Sequence, residues 1–370
     1  MNSTGTDTDR RYMELALSLA EKGLGTTSPN PMVGAVIVRD GEIIGRGFHR
    51  KAGDDHAEIT ALREAGERAR GATLYITLEP CCHYGKTPPC TESIIKSGIR
   101  RVVAAMSDPN PLVCGGGFTR LRQRHIETES GVLENRARKL NEAYLKYIST
   151  KIPFVTLKLA MTLDGRIAAP DGSSRWITGP ESRKRVHLLR AWSDAVMVGV
   201  GTVLADNPKL TVRDAEGSDP WRVILDSHLR SPLNSHVFAD ARAIVVAAEK
   251  PETGKLQELG RRGIEVWKME SKEGKISLHD VLKRLGEQLM TSILCEGGAA
   301  LAASLLREGL ADKLCIFFAP KILGKGIDGI GDLGFQTIDR AIHLGNREVE
   351  ELGDDILITG YPEHCLNNDS

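Results

Sequence analysis

Residues 56–58 read His-Ala-Glu, and residues 78–90 read LEPCCHYGKTPPC. One imidazole, one carboxylate and three thiols so close together suit a metal that activates water. Catalytic zinc takes three protein ligands and keeps its fourth position open. His56, either Cys81 or Cys82, and Cys90 can supply the three. Consecutive side chains diverge, so Cys81 and Cys82 do not both grip one ion. Zinc acidifies its water, and Glu58, two residues past His56, can take that proton. Two alternatives stay open: a closed structural site completed by Cys82 or His83, and a metal-free cluster of buried thiols.

Spacing narrows the choice. Zinc-dependent deaminases carry His-x-Glu followed by Pro-Cys-x-x-Cys. Here Pro80–Cys81 is present but position 84 is Tyr, so the second thiolate is Cys90, with eight residues between the two sulfurs. His56 is expected to open one helix. Cys90, beside Pro88 and Pro89, is expected in the first turn of another, where the partial positive charge favours thiolate.

The elements that carry these groups alternate. A first helix is capped by Asp9, faces inward with Tyr12, Leu15, Ala16 and Leu19, and stops at Gly23. Residues 31–48 predict two strands joined by Asp40–Gly41. A helix from His56 to about Arg70 turns Ile59, Leu62 and Ala69 inward. Strand, short helix and strand follow, implying a mainly parallel sheet covered on both faces. Residues 112–127 read as a loop. Residues 134–150 form one polar helix carrying Leu140, Tyr144 and Tyr147, and Pro153 marks a boundary near residue 150.

The second half again alternates strand-like runs (FVTLKLAM, DAVMVGV, RVILD, RAIVVAA, SILCE, KLCIFFAP) with helices at 180–192, 278–289 and 299–308. SILCE runs into GGAALAASLL, where Gly297 and Gly298 would let a pyrophosphate approach backbone N–H groups. Glu296 ends that strand, the usual place for a ligand-facing polar group. Gly199 and Gly201 stand similarly before Thr202 and Asp206. The literal G-x-G-x-x-G stretch, Gly324 to Gly329, has no helical pattern after it and reads as a flexible loop.

Composition sets the class. The 370 residues suggest two domains, and 49 basic against 49 acidic residues give zero net charge. Such a chain has little general attraction for nucleic acid or anionic membrane. Seven cysteines with one tight cluster read as reduced and cytoplasmic. No apolar run reaches membrane-spanning length.

SPNPMVGAVIV, HAE, LEPCCHYGKTPPC and DPNPLV resemble, in order and spacing, the deaminase half of the bifunctional riboflavin-biosynthesis deaminase/reductase family. LKLAMTLDGRIA, SSRWITG, GVGTVLADNPKLTVR, ILDS and CEGGAAL resemble its reductase half. The resemblance implies a cytidine-deaminase-like three-layer α/β/α domain over 1–150. A dihydrofolate-reductase-like α/β domain would occupy 151–370. It implies zinc on His56, Cys81 and Cys90, with Glu58 as proton shuttle. Deaminase substrate contacts would fall on Asn30, His49, His83, Lys86, Asp108 and Asn110. NADPH contacts would fall on Ala160, Trp176, Thr202, Asp206, Ser227 and the helix start of Gly298, Ala299, Ala300, Leu301, Ala302, Ala303 and Ser304. Reductase substrate contacts would fall on Ser174, Arg190, Leu210, Arg213 and Glu296, with Lys158 polarising the sugar.

The expected partners are a phosphoribosylaminopyrimidine and further copies of the chain. Two rivals remain at this point. One is a nucleoside or polynucleotide deaminase with an unrelated appended domain. The other is a zinc-stapled nucleotide sensor without catalysis.

Overall fold

The computed structural model describes residues 6–84, 88–249, 253–272 and 275–363. Lys86 lies outside them. The chain divides into two compact units, Met1–Lys151 and Ile152–Ser370.

In the first unit, among the described residues, five strands order as β2-β1-β3-β4-β5: β1 (Gly34–Arg39), β2 (Glu42–Phe48), β3 (Thr73–Ile76), β4 (Arg101–Ala104) and β5 (Glu127–Ser130). Asp40 and Gly41, with φ of 51° and 80°, make the β1–β2 turn as expected. The sheet is mixed, which corrects the mainly parallel reading. β1 runs antiparallel to both neighbours, while β3, β4 and β5 are parallel. Alternation along the strands splits the core. Ala35, Ile37, Leu74 and Val102 meet Ala57, Ala61, Ile94 and Leu121 on one face. Val36, Val38, Tyr75 and Val103 meet Met13, Ala16, Leu17 and Tyr144 on the other. These are the two outer layers of an α/β/α unit.

Helix α1 (Asp7–Ala20) is capped by Thr6, not Asp9. Asp9 is the third helical residue and returns a bond to the Thr6 backbone, completing a capping box. Its buried face includes Tyr12, Met13, Ala16, Leu17 and Ala20, and Leu15 is 40% exposed. Helix α2 (Ala57–Ala65) is shorter than expected, and its alanines, more than Ile59 or Leu62, pack on the sheet. They can do so because β2 carries Gly45 and Gly47. A Cβ at either would collide with a carbonyl of α2. That close approach seats the start of α2, and with it His56 and Glu58, against the sheet.

Three further helices follow: α3 (Cys90–Ser97), α4 (Gly116–Arg122) and α5 (Glu134–Leu140). α4 lies where a loop was expected. The long polar helix is broken: α5 ends before Asn141, and α6 (Glu142–Thr150) begins after it. Asn141 has φ −105° and spends its side chain on Met32, which accounts for the break.

The second unit contains β6 (Phe154–Thr162), β7 (Arg166–Ala168), α7 (Pro180–Ala191), β8 (Ala195–Gly199), α8 (Val200–Asp206), β9 (Trp221–Leu225) and β10 (Ala243–Ala248). It continues with α9 (Thr253–Arg261), β11 (Glu265–Met269), the short β12 (Ser271–Lys272) and β13 (Lys275–Ile276), α10 (Leu278–Glu287), β14 (Ser292–Cys295) and α11 (Ala299–Arg307). β15 (Lys313–Ala319), β16 (Ile327–Asp328), β17 (His343–Leu352) and β18 (Asp355–Glu363) close the unit. The large sheet orders as β11-β10-β9-β8-β14-β6-β15-β18-β17. It is parallel from β11 to β15, and the antiparallel β17–β18 hairpin, which the sequence pattern did not suggest, extends its edge. The 324–329 stretch is not simply a loop: β16 within it pairs with β7. No helix of the described residues is long and apolar enough to cross a membrane.

Candidate functional site

His56 is the N-cap of α2 and Cys90 the first residue of α3. Cys81 lies in the irregular stretch between β3 and α3. Their donor atoms all lie within 4.8 Å of one another. His56 Nδ1 is 3.1 Å from Cys90 Sγ and 3.8 Å from Cys81 Sγ, and the Cys90 N–H donates to Cys81 Sγ at 3.3 Å. Two corners of a zinc tetrahedron with ordinary Zn–N and Zn–S bonds stand about 3.5 Å apart. The two imidazole–sulfur separations bracket that value, and one nitrogen with two sulfurs is a donor set zinc favours. Cys82 and His83 are not in the group. Cys82 Sγ instead sits over the Leu112 and Val113 carbonyls.

The electrostatics of this cluster are tightly linked. The Cys90 thiol bonds to Cys81 and, with help from His56 and the α3 N–H, holds the Cys81 thiol well below its ordinary value. The same bond drives Cys90 upward. Cys81 in turn raises His56 to about 9. Glu58 is 3% exposed, and burial pushes its carboxyl up to about 7, against the pull of His56. A carboxyl buried beside these ligands is placed to accept and return a proton.

The polar residues expected to read a substrate lie on four connecting segments: Asn30 before β1, His49 after β2, His83 after β3, and Asp108 with Asn110 after β4. Asn30 Nδ2 lies 3.0 Å from His49 Nε2, and His49 Nδ1 lies 3.1 Å from the Asp55 carbonyl. That carbonyl requires a proton on Nδ1, so Nε2 accepts from Asn30 and leaves Asn30 Oδ1 for another donor. His49 stands edge-on to His56, with ring centroids 5.4 Å apart. Asp108 is buried and accepts from the Asn110 N–H and the Tyr144 hydroxyl. The buried Nδ1 of His83 has no partner among the described residues.

The structure also brings in Glu79, which the spacing of chemical groups does not single out. Its buried carboxylate accepts from the backbone N–H groups of Asp108, Gly115 and Phe118. It thereby ties the loop after β4 and the start of α4 to the stretch that carries Cys81. The Glu-Pro-Cys adjacency is the available signal.

In the second unit, β8 and β14 are adjacent and parallel, and each feeds a helix whose start has no side-chain cap, at Gly199 and at Gly298. A Cβ on Gly298 would meet only Thr202 Oγ1, at 4.0 Å, and one on Gly199 or Gly201 would meet nothing. Two uncapped helix ends thus converge with room between them, which suits a dinucleotide's phosphates. Ala299 and Ala300 share this edge, Leu301, Ala302 and Ala303 are buried in the core, and Ser304 is half-buried.

Glu296, at the end of β14, is gripped by Arg190 of α7 at 2.6 and 3.0 Å. Lys158 on β6 is near both; burial lowers its ammonium, with Glu296 opposing. Asp206 belongs to the same electrostatic neighbourhood. Arg213 is exposed and bonds Thr211 Oγ1, while Leu210 packs in the core. Trp176 is 65% exposed beneath the Arg183 guanidinium, Ser174 and Ala160 are half-buried, and Ser227 lends its carbonyl to Ala248.

The chain matches two known families, the cytidine and deoxycytidylate deaminase zinc-binding region over residues 6–106 and the RibD C-terminal domain over 153–358. It is 48% identical to the riboflavin biosynthesis protein RibD of Aquifex aeolicus, covering 95% of this chain and 97% of that one. The Escherichia coli RibD is 42% identical, with 95% and 98% covered. Among solved structures, Acinetobacter baumannii RibD superposes with a TM-score of 0.88 at 40% identity, covering 96% and 99% of the chains. A Thermotoga maritima diaminohydroxyphosphoribosylaminopyrimidine deaminase/5-amino-6-(5-phosphoribosylamino)uracil reductase does so with a TM-score of 0.83, again at 40% identity over 96% and 99%. On matches of this extent in both halves, the chain belongs to the RibD family.

Proposed function

We propose that this chain carries out two successive steps of riboflavin biosynthesis. The first unit hydrolyses the ring amino group of 2,5-diamino-6-(5-phosphoribosylamino)pyrimidin-4(3H)-one, giving ammonia and 5-amino-6-(5-phosphoribosylamino)uracil. The second reduces the ribosyl group of that product to ribityl with NADPH. The observation that carries the reading is the His56, Cys81 and Cys90 cluster with Glu58 buried beside it.

When bound, zinc supplies the Lewis acidity that lets water lose a proton near neutral pH. Glu58 takes that proton on a carboxylate oxygen and gives it to the ring nitrogen, then takes the second proton, that of the added hydroxyl, and gives it to the departing amino group, which leaves as ammonia. Asn30 Oδ1 and Asp108 accept from the heterocycle's N–H groups. His49 orients Asn30, Asn110 extends this edge, and His83 and Lys86 serve the ribose phosphate.

NADPH supplies a hydride to the second reaction. The N–H groups after Gly298 and around Thr202 receive its pyrophosphate, and Trp176, Asp206, Ser227 and Ala160 align the remainder. Arg213 and Arg190, with Ser174 and the Leu210 backbone, hold the substrate's phosphoribosyl group. Lys158 polarises the sugar beside Glu296. The zero net charge and the cysteine pattern support a cytoplasmic enzyme of small molecules, not nucleic acid. A homo-oligomer belongs to the same proposal, and sedimentation at assay concentration tests it.

The central experiment supplies purified protein with each substrate, with and without a zinc chelator. Chelation is expected to stop ammonia release and to spare NADPH oxidation when the deaminated intermediate is given directly. In Glu58→Ala, ammonia release should fall by about a hundredfold or more with zinc retained. Undiminished ammonia release from metal-free protein would sink the reading.

A further inference from the structure

Helix α6 reads in sequence as a polar connector, yet its inward groups reach both loops from which the pyrimidine would be read. Asn141, at the head of the helix, is 2% exposed. Its Oδ1 accepts from the Met32 N–H at 2.8 Å, and its Nδ2 donates to the Met32 carbonyl at 2.9 Å. The amide thus satisfies both polar groups of one peptide residue, as a neighbouring strand would. This pins the backbone two residues beyond Asn30. One turn along α6, the Tyr144 hydroxyl bonds to both Asp108 oxygens, at 3.0 and 3.2 Å. Asn141 is the N-cap of the helix and Tyr144 lies in its first turn, so one helix start serves both contacts.

From these contacts we infer that α6 sets substrate recognition in the first unit, with Tyr144 positioning Asp108 and Asn141 positioning the Asn30 loop. Both are positioning residues. The inference rests on the proposed substrate contacts of Asn30 and Asp108 and deepens that reading. A buried carboxylate is a directional acceptor only while its plane is fixed, and Tyr144, whose one hydroxyl proton is shared between the two oxygens, fixes it together with the Asn110 N–H. An asparagine on an irregular loop holds its height only while the loop backbone is tied, and Asn141 ties it at Met32. The bonds of both side chains go to the recognition loops, not to the metal ligands or Glu58. Their loss therefore weakens binding of the base and leaves proton transfer intact.

Tyr144→Phe removes one hydroxyl and preserves packing, so it is the decisive variant. The expected result is a rise in KM for the diaminopyrimidine phosphate of about tenfold. The deamination kcat should stay within about twofold, the pattern of lost uniform binding. Zinc content and NADPH oxidation on the supplied intermediate should match the parent. Made in an Asp108→Ala background, the same substitution should change KM no further, because the group it positions is gone. Asn141→Ala, which strips partners from a buried peptide, is compared with Asn30→Ala in the same way, on protein whose first unit is shown folded by its retained zinc.

Tyr144→Phe at wild-type KM, with Asp108→Ala impaired, would overturn the positioning role and leave Asp108 as a substrate contact. An equal KM rise with and without Asp108 would also overturn it, since Tyr144 would then act elsewhere. Wild-type constants in Asp108→Ala would remove the recognition reading itself, and this inference with it.

Discussion

Arg190 donates to both carboxylate oxygens of Glu296, from Nε at 2.6 Å and from Nη2 at 3.0 Å, with the two side chains only 11% and 9% exposed. The pair joins the last turn of α7 to the end of β14. A third bond, from Arg190 Nη1 to the Thr211 carbonyl, reaches the segment that carries Arg213. His187, one turn earlier on α7, meets the same carbonyl through Nδ1 at 3.1 Å. Burial would raise the Glu296 carboxyl, but the charge and hydrogen bonds of Arg190, with the charges of Lys158 and His187, together outweigh it and hold the group ionised.

Arg190→Ala would leave Glu296 and Lys158 buried without the guanidinium between strand and helix. Removing one partner of a buried ion pair costs about 3–5 kcal/mol. Urea unfolding of the second unit is expected to shift by that amount, with NADPH oxidation lost. Ammonia release and zinc content should be unchanged. Arg190→Lys is not expected to restore stability, since a point charge cannot make two parallel bonds.

Asp9 gives the first unit an acid-sensitive lock. Burial would raise its carboxyl, but bonds from Arg101, Thr6 and Tyr75 hold it well below its ordinary value of 3.8. A carboxylate depressed on folding adds stability above its unfolded pKa and loses it as pH falls toward the folded one. The contribution should therefore be complete at pH 7 and fade below about pH 4. Asp9→Asn should lower stability at pH 7 by about 2–3 kcal/mol and flatten the acid limb of the unfolding curve. Parallel acid limbs for both proteins would assign the lability to other carboxylates.

Local signals make the metal cluster legible. His56, Glu58, Cys81 and Cys90 sit close in sequence, and the helix starts that hold two of them are marked by residue type. The Asp40–Gly41 turn is legible because both residues tolerate positive φ. What stays hidden depends on distant partners. Asn141 bonds a residue 109 positions away, and Tyr144 one 36 positions away. Neither spacing leaves a periodic trace. The glycines at 115–117 disguise α4, because glycine is a poor helix former. Glu79 compensates by receiving the Gly115 and Phe118 N–H groups around the start of that helix. The β17–β18 hairpin is hidden because most of β17 is exposed and lacks the alternation of a half-buried strand.

Gly297 and Gly298 look equivalent in sequence and are not. A Cβ on Gly297 would stand 2.6 Å from Leu301 Cδ2 and 3.0 Å from its Cβ, so that glycine serves packing at the start of α11. A Cβ on Gly298 would have only Thr202 Oγ1 near it, at 4.0 Å, and the backbone there, with φ −76°, accepts any side chain. Gly297→Ala should cost about 1–3 kcal/mol through overpacking, read as a lower Tm. Gly298→Ala should keep the parent Tm and raise KM for NADPH, because its methyl group would enter the space beside the uncapped helix end. Deamination should be untouched in both. If Gly298→Ala binds NADPH as tightly as the parent, the pyrophosphate does not lie at this helix start, and the cofactor assignment there must be abandoned.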